Sequence, residues 1–285
     1  MIFLYYIQES DKPNWLFNKL NIIKVIGDKL IIPISKDENL KEKQSVKLAK
    51  KTKKILKEFN CKSVCASKVI KKQENYIKSL NNDIEIINGK WLYSVLANKV
   101  LDYIVKKYNI KKEETTISIL INKLETDYML EYIKQISSEY KVINIVTNNV
   151  KEFKKIEEII FKTEDVMINI TNNKKKGLMR SQIILNVDFK TELLNQYNIP
   201  EKAILINLPG NIQIKKKRFN GININDYEIK YKKFEEFDYD KYYLYDQKDI
   251  YESQIYKKQP FEYIKRKLEK DKVEILFLKG NKNQY

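Results

Sequence analysis

The polar side chains best placed to do chemistry in this 285-residue chain recur at the ends of apolar runs. They are Asn122, then Thr147, Asn148 and Asn149, then Thr171, Asn172 and Asn173 with Lys176 close behind, then Asn186 with Asp188, and finally Asn207 before Pro209 and Gly210. Amides and hydroxyls of this kind offer hydrogen bonds to a neutral or anionic polar ligand. The same residue types also cap helices and close turns wherever strands lead into helices, so both roles are open at each position. The chain has no histidine. Serine–histidine and cysteine–histidine nucleophile systems, helical zinc-protease motifs and imidazole bases are therefore excluded, and any proton transfer falls to Asp, Glu, Lys, Tyr or Cys. No catalytic residue is assigned.

Two cysteines, Cys61 and Cys65, lie in CKSVCAS. In an extended chain four residues hold the sulfurs about 13 Å apart, beyond disulfide reach. The spacing is not that of a redox or metal pair, and both read as buried structural cysteines; no metal site is expected. The formal charge is +17, and residues 41–72 carry twelve lysines against Glu42 and Glu58. Such a segment suits phosphate neutralisation. Only Arg180, Arg218 and Arg266 supply guanidinium, the group that base edges and bidentate phosphate contacts favour. A solvated basic helix is the alternative reading, and nucleic acid is a secondary partner expectation. Lys215, Lys216, Lys217 and Arg218 form a second basic run, read as the edge of a hairpin.

The elements that must position these groups follow from periodicity. Apolar runs at 116–122, 142–148, 166–172, 182–189 and 203–209 alternate with helical patterns at about 126–138 and 150–160 and shorter ones at 174–180 and 190–197. Strands apolar on both faces and separated by helices require a parallel sheet covered on both sides. Right-handed crossovers put all their carboxyl ends on one edge, where open α/β sheets bind ligands. Upstream, strands are expected at 2–7, 22–27, 29–34, 63–66 and 84–87, with a hairpin at Gly27-Asp28 and helices at 38–59 and 69–80. Val46, Ala49, Lys53, Leu56 and Phe59 mark the packed side of the first helix. Leu92, Leu96, Val100 and Ile104 then predict one helix of about 19 residues from Gly89. Helices at 247–256 and 260–269 and a strand at 273–278 close the chain. Eight tyrosines between 227 and 256 read as packing residues, being interleaved with acids as much as with lysines.

These patterns divide the chain into an N-terminal α/β domain with its connecting helix (1–110), a Rossmann-like doubly wound parallel-sheet domain (111–225) and a tyrosine-rich segment packed on the other domains (226–285). No apolar run reaches the roughly 18 residues of a membrane span. The apolar start reads as a buried strand, and a cytoplasmic location without membrane contact is expected.

A small α/β domain, a long connecting helix and an alternating second domain resemble the layout of the shikimate and amino-acid dehydrogenases. In that family the first strand of the second domain leads into a Gly-x-Gly-x-x-Gly turn that cradles the cofactor pyrophosphate at a helix N-terminus. Here the turn is Asn122-Lys123-Leu124-Glu125-Thr126-Asp127, without glycine and with two acids where pyrophosphate would lie. Thr147-Asn148-Asn149 with Lys151 matches the family's pattern for a phosphorylated nicotinamide, NADP. A second phosphate candidate is Thr171-Asn172-Asn173-Lys174-Lys175-Lys176-Gly177. The leading expectation is a small polar ligand at the 122/147/171/186 rim without dinucleotide chemistry, and the alternatives are an NADP-dependent reductase and a nucleic-acid-associated protein.

Overall fold

A computed structural model describes residues 2–6, 20, 22–124, 127–140, 142–164, 168–215, 217–232, 243–256, 260–280 and 283–285. Two compact units divide the chain, residues 1–89 with 232–259 and residues 90–231 with 260–285. The helical stretch after Gly89 thus belongs with the second unit, and residues 226–285 are shared between the two.

The first unit runs β1 (Ile2–Tyr6), β2 (Lys24–Ile26), β3 (Lys29–Ile32), α1 (Glu42–Glu58), β4 (Ser63–Ala66), α2 (Lys68–Lys71), α3 (Glu74–Leu80) and β5 (Glu85–Ile87). Its sheet has the order β2-β3-β1-β4-β5, parallel except for the β2–β3 hairpin, which pairs Val25 with Leu30 across the Gly27-Asp28 turn. The packed side of α1 differs from the expected one by about one position. Ser45, Leu48, Ala49, Thr52 and Leu56 are buried, whereas Val46 and Phe59 are exposed. The reason is steric and polar together. Thr52 enters the core because its hydroxyl bonds Leu48 O at 3.0 Å and the buried Tyr76 hydroxyl at 2.8 Å, which satisfies both groups. The expected helix at 69–80 is interrupted at Gln73, whose buried amide turns instead to the loop before α1, accepting from Leu40 N at 3.0 Å and donating to Glu38 O at 2.6 Å.

The second unit begins with α4 (Lys90–Val95) and α5 (Ala97–Tyr108), two helices meeting at Leu96 in place of the single one expected. There follow β6 (Thr116–Leu120), α6 (Asp127–Glu139), β7 (Val142–Val146), α7 (Val150–Glu164), β8 (Ile168–Thr171), β9 (Ile183–Asn186), α8 (Thr191–Leu194), β10 (Ile204–Asn207) and β11 (Ile222–Lys230). The next helix, α9 (Gln247–Ile255), lies on β4 and β5 of the first unit. Returning to the second unit, α10 (Phe261–Lys270) leads to β12 (Glu274–Gly280).

The seven strands are ordered β12-β11-β10-β9-β6-β7-β8. Six are parallel and β12 runs antiparallel at the edge beside β11. Counted from β6, the parallel strands follow the order 3-2-1-4-5-6, that of a doubly wound Rossmann-like sheet, and strand order reverses between β6 and β9. Two details depart from expectation. Residues 174–180 form successive turns rather than a helix. The region after Gly210 supplies a sixth parallel strand in place of a hairpin, since Ile222 and Ile224 face Ile204 and Ile206 in register. Gly221 permits that pairing: a Cβ there would fall 2.2 Å from Ala203 O.

Candidate functional site

The reversal between β6 and β9 places the end of β6 beside the loop that follows β9. Asp188 reaches across this gap. Its carboxylate accepts the backbone N–H of Asn122 at 2.8 and 3.0 Å and that of Lys123 at 3.0 Å. These are the donors a ligand anion would meet at the switch point of such a sheet, and here an internal anion holds them. Glu125 lies outside the described residues, and no side chain is described for Asp127.

From Asn122 the network runs on to β7. The Asn122 Oδ1 accepts the N–H of Asn148 at 2.9 Å, and Asn149 Nδ2 donates to Asn122 O at 2.7 Å. Thr147 is buried, and its hydroxyl accepts from Asn149 N at 3.0 Å. Thr171 does the same for Asn173 N at 3.1 Å, and Asn173 Oδ1 takes the N–H of both Lys175 and Lys176 at 3.0 Å. Such short-range bonds are what Thr and Asn contribute to turns. Gly177 completes the loop: its N–H bonds Asn173 O at 2.8 Å, and a Cβ would lie 2.7 Å from that same oxygen. The glycine therefore serves a tight turn, and no helix begins there to receive a phosphate.

On the other half of the edge the strand-end amides are buried. Asn186 is fully buried, donating to Phe189 O at 3.0 Å and Asn207 Oδ1 at 3.1 Å and accepting from Phe189 N at 2.9 Å. Asn207, equally buried, donates to Ile224 O and Asn225 Oδ1, both at 3.0 Å. Asn225 then clamps both backbone groups of Ile212, at 3.0 Å to its N–H and 3.1 Å to its carbonyl. Asn223 and Asn225 are strand residues that fasten the 208–214 loop across the sheet. The alternation Ile222-Asn223-Ile224-Asn225 is a period-two strand signal that pointed to this.

Of the ten residues expected at the rim, Asn122, Thr147, Asn148, Asn149, Thr171 and Asp188 are joined through the ends of β6 to β9, and Asn173 and Lys176 share the turn after β8. Asn186 lies in the separate buried network. On the β6–β7–β8 half the outward groups are Asn148, Asn149, Asn172 and Asn173 with the exposed cations Lys123, Lys151, Lys174, Lys175 and Lys176. That rim can offer amide hydrogen bonds and positive charge to a ligand. Among the described residues no cluster of three or more His, Cys, Asp or Glu side chains is placed to hold a metal, and no helix is long and apolar enough to cross a membrane.

No family model and no curated protein sequence matches this chain. Among solved structures it is similar to the L-tryptophan dehydrogenase of Nostoc punctiforme, with 7% identity and a TM-score of 0.34 over 78% of this chain and 69% of that one. It is also similar to a mitochondrial ornithine carbamoyltransferase from Coccidioides immitis (11% identity, TM-score 0.30, 72% and 70% covered). The aspartate transcarbamoylase of Trypanosoma cruzi is a third (10%, 0.29, 73% and 70%). All are α/β Rossmann-like folds. The chain is an α/β protein with two mainly parallel sheets flanked by helices.

Sequence reasoning missed a second polar cluster, in the first unit. Lys71 Nζ at the end of α2 bonds Asp246 Oδ2 at 2.6 Å and also pairs with Asp249 of α9. Asp249 is wholly buried, and its Oδ1 has no hydrogen-bond partner among the described residues. Burial opposes the charge on Lys71, but the two carboxylates outweigh it and hold the amine well above its usual range. Burial pushes the Asp249 carboxyl up to about 7, with Lys71 pulling it down and Asp246 adding to the rise. Burial likewise raises the nearby Cys65 thiol well above its usual range, Asp249 adding to the effect, so this cysteine is an inert core residue. The partners are about 175 positions apart in sequence, so no local spacing announces them.

Proposed function

We propose that the second unit binds a small polar, anion-bearing ligand on the β6–β7–β8 half of its carboxyl edge and does not bind a dinucleotide. The observation that carries this reading is the Asp188 carboxylate on the amides of Asn122 and Lys123. A dinucleotide pyrophosphate needs those donors free and the negative charge beside them absent. Asn148, Asn149 and Asn172 with the exposed lysines around them, Lys176 foremost, are the groups left to hold a ligand, through amide hydrogen bonds and flexible cations.

A thermal-shift panel of carboxylates, phosphate esters and nicotinamide cofactors tests it. A true ligand at a hundredfold excess over its dissociation constant adds about 2.7 kcal/mol of stability. Asn172→Ala with Lys176→Ala should abolish the shift. No stabilisation by any compound, or micromolar binding of either nicotinamide cofactor, would overturn the proposal. Asp188→Ala is expected to cost about 2–3 kcal/mol through lost charged hydrogen bonds. Inorganic phosphate should restore part of that stability in the variant and add nothing to the wild type.

A further inference from the structure

The basic segment singled out in the sequence is sorted by the fold into two kinds of lysine. Lys53 pairs with Asp83, Lys51 bonds Leu20 O, Lys68 lies 4.0 Å from Asp246 and Lys71 is held by Asp246 and Asp249. Five others, Lys43, Lys47, Lys50, Lys54 and Lys57, are exposed on α1. Their spacing of four, three, four and three residues puts all five within an arc of about 80° at 3.6 residues per turn. The row is about 21 Å long. The opposite face, Ser45, Leu48, Ala49, Thr52 and Leu56, is committed to the core. No acidic residue lies inside the row: Glu42 precedes it and Glu58 follows it.

Lys57 also feels Asp83, the acid that pairs with Lys53. A straight file of cations on a rigid helix costs self-repulsion in the isolated chain and is complementary to a straight file of anions. We propose that this face of α1 is a docking surface for the phosphate backbone of a nucleic acid, contacted without regard to base sequence. Its length matches about six nucleotide steps of one strand at 3.4 Å each. Every cation in it is lysine, a point charge that neutralises phosphate but lacks the planar fork that reads guanine. An anionic membrane is the less fitting partner. A helix that lies in a bilayer surface buries its apolar face there, and the apolar face of α1 is already spent on its own sheet. The inference is independent of the ligand reading for the second unit.

The test is fluorescence anisotropy of a dye-labelled 20-base-pair duplex with the full chain at 50 and 200 mM sodium chloride. Five phosphates neutralised give a slope of about −4.5 in log affinity against log salt, or a loss of about 500-fold over that range. Lys47→Gln, Lys50→Gln and Lys54→Gln together should leave a loss of about 12-fold, with weaker binding at the lower salt. The same charge removed from α7, as Lys154→Gln, Lys155→Gln and Lys162→Gln, should keep the wild-type slope. Lys50→Gln alone should lower the slope by about one and decides the matter should the triple variant fail to fold. A flat salt response, an equal effect of the α7 variant, or row-dependent binding to phosphatidylserine vesicles without binding to the duplex would overturn the proposal.

Discussion

The two units bury polar groups in opposite ways. In the second, Asn186, Asn207 and Asn225 satisfy one another and the backbone of Phe189, Ile212 and Ile224 with neutral amides, and Ser118 meets Ser181 at 2.5 Å and Asn144 at 3.3 Å across the same sheet. In the first, an amine is held between two carboxylates, one of them wholly buried with an oxygen that no described residue partners. Satisfied amides fix strand register at every pH. An amine shared by one buried and one half-buried carboxylate anchors α9 to α2 only in one protonation pattern, and desolvation opposes it throughout.

Removing the amine breaks the comparison most sharply. Lys71→Ala leaves the buried Asp249 and the half-buried Asp246 without their amine and is expected to cost about 3–5 kcal/mol in urea denaturation above the pH at which Asp249 ionises. Protonation sharpens it next. The folded state holds the Asp249 proton up to about pH 7, whereas the unfolded carboxyl releases it near its ordinary value. The folded state therefore binds the extra proton between those limits, and stability falls as pH rises through them, by up to about 4 kcal/mol over three pH units. Asp249→Asn should flatten denaturation midpoints measured across that range, and an unchanged slope would refute the assignment. The smallest effect belongs to the amides: Asn207→Ala strands the partners of one side chain and should cost about 2–3 kcal/mol, equally at pH 5 and pH 7.

Much of the second sheet was legible because its strands are long apolar runs buried on both faces, and the run at 116–122 or 203–209 admits no other reading. The sixth parallel strand was not, since Ile212 and Ile214 carry the same alternation as Ile222 and Ile224 but only the latter pair finds a partner strand. The helix break at Gln73 depends on a loop more than thirty residues away, and no local pattern encodes it. At the rim the residue types marked the carboxyl edge of the sheet, and the strands end where those residues stand. Whether each amide faced outward or inward was decided by neighbours such as Asp188 and Asn225, which become neighbours only after folding.

The strand order carries a consequence for how the sheet is made. β6, β7 and β8 are consecutive and adjacent, so half of the sheet can assemble from short-range pairings as the chain lengthens. β9 must then travel back past both to reach the free side of β6, and Ile117 pairs with Ile183 across 66 positions. Pairings of such separation form late and slowly. Until they do, the amides of Asn122 and Lys123 and the flank of β6 stay open, which makes the nascent half-sheet the stage most exposed to edge-to-edge association. Asp188 arrives with β9, so the carboxylate that seals the switch point also marks the moment at which that exposure ends.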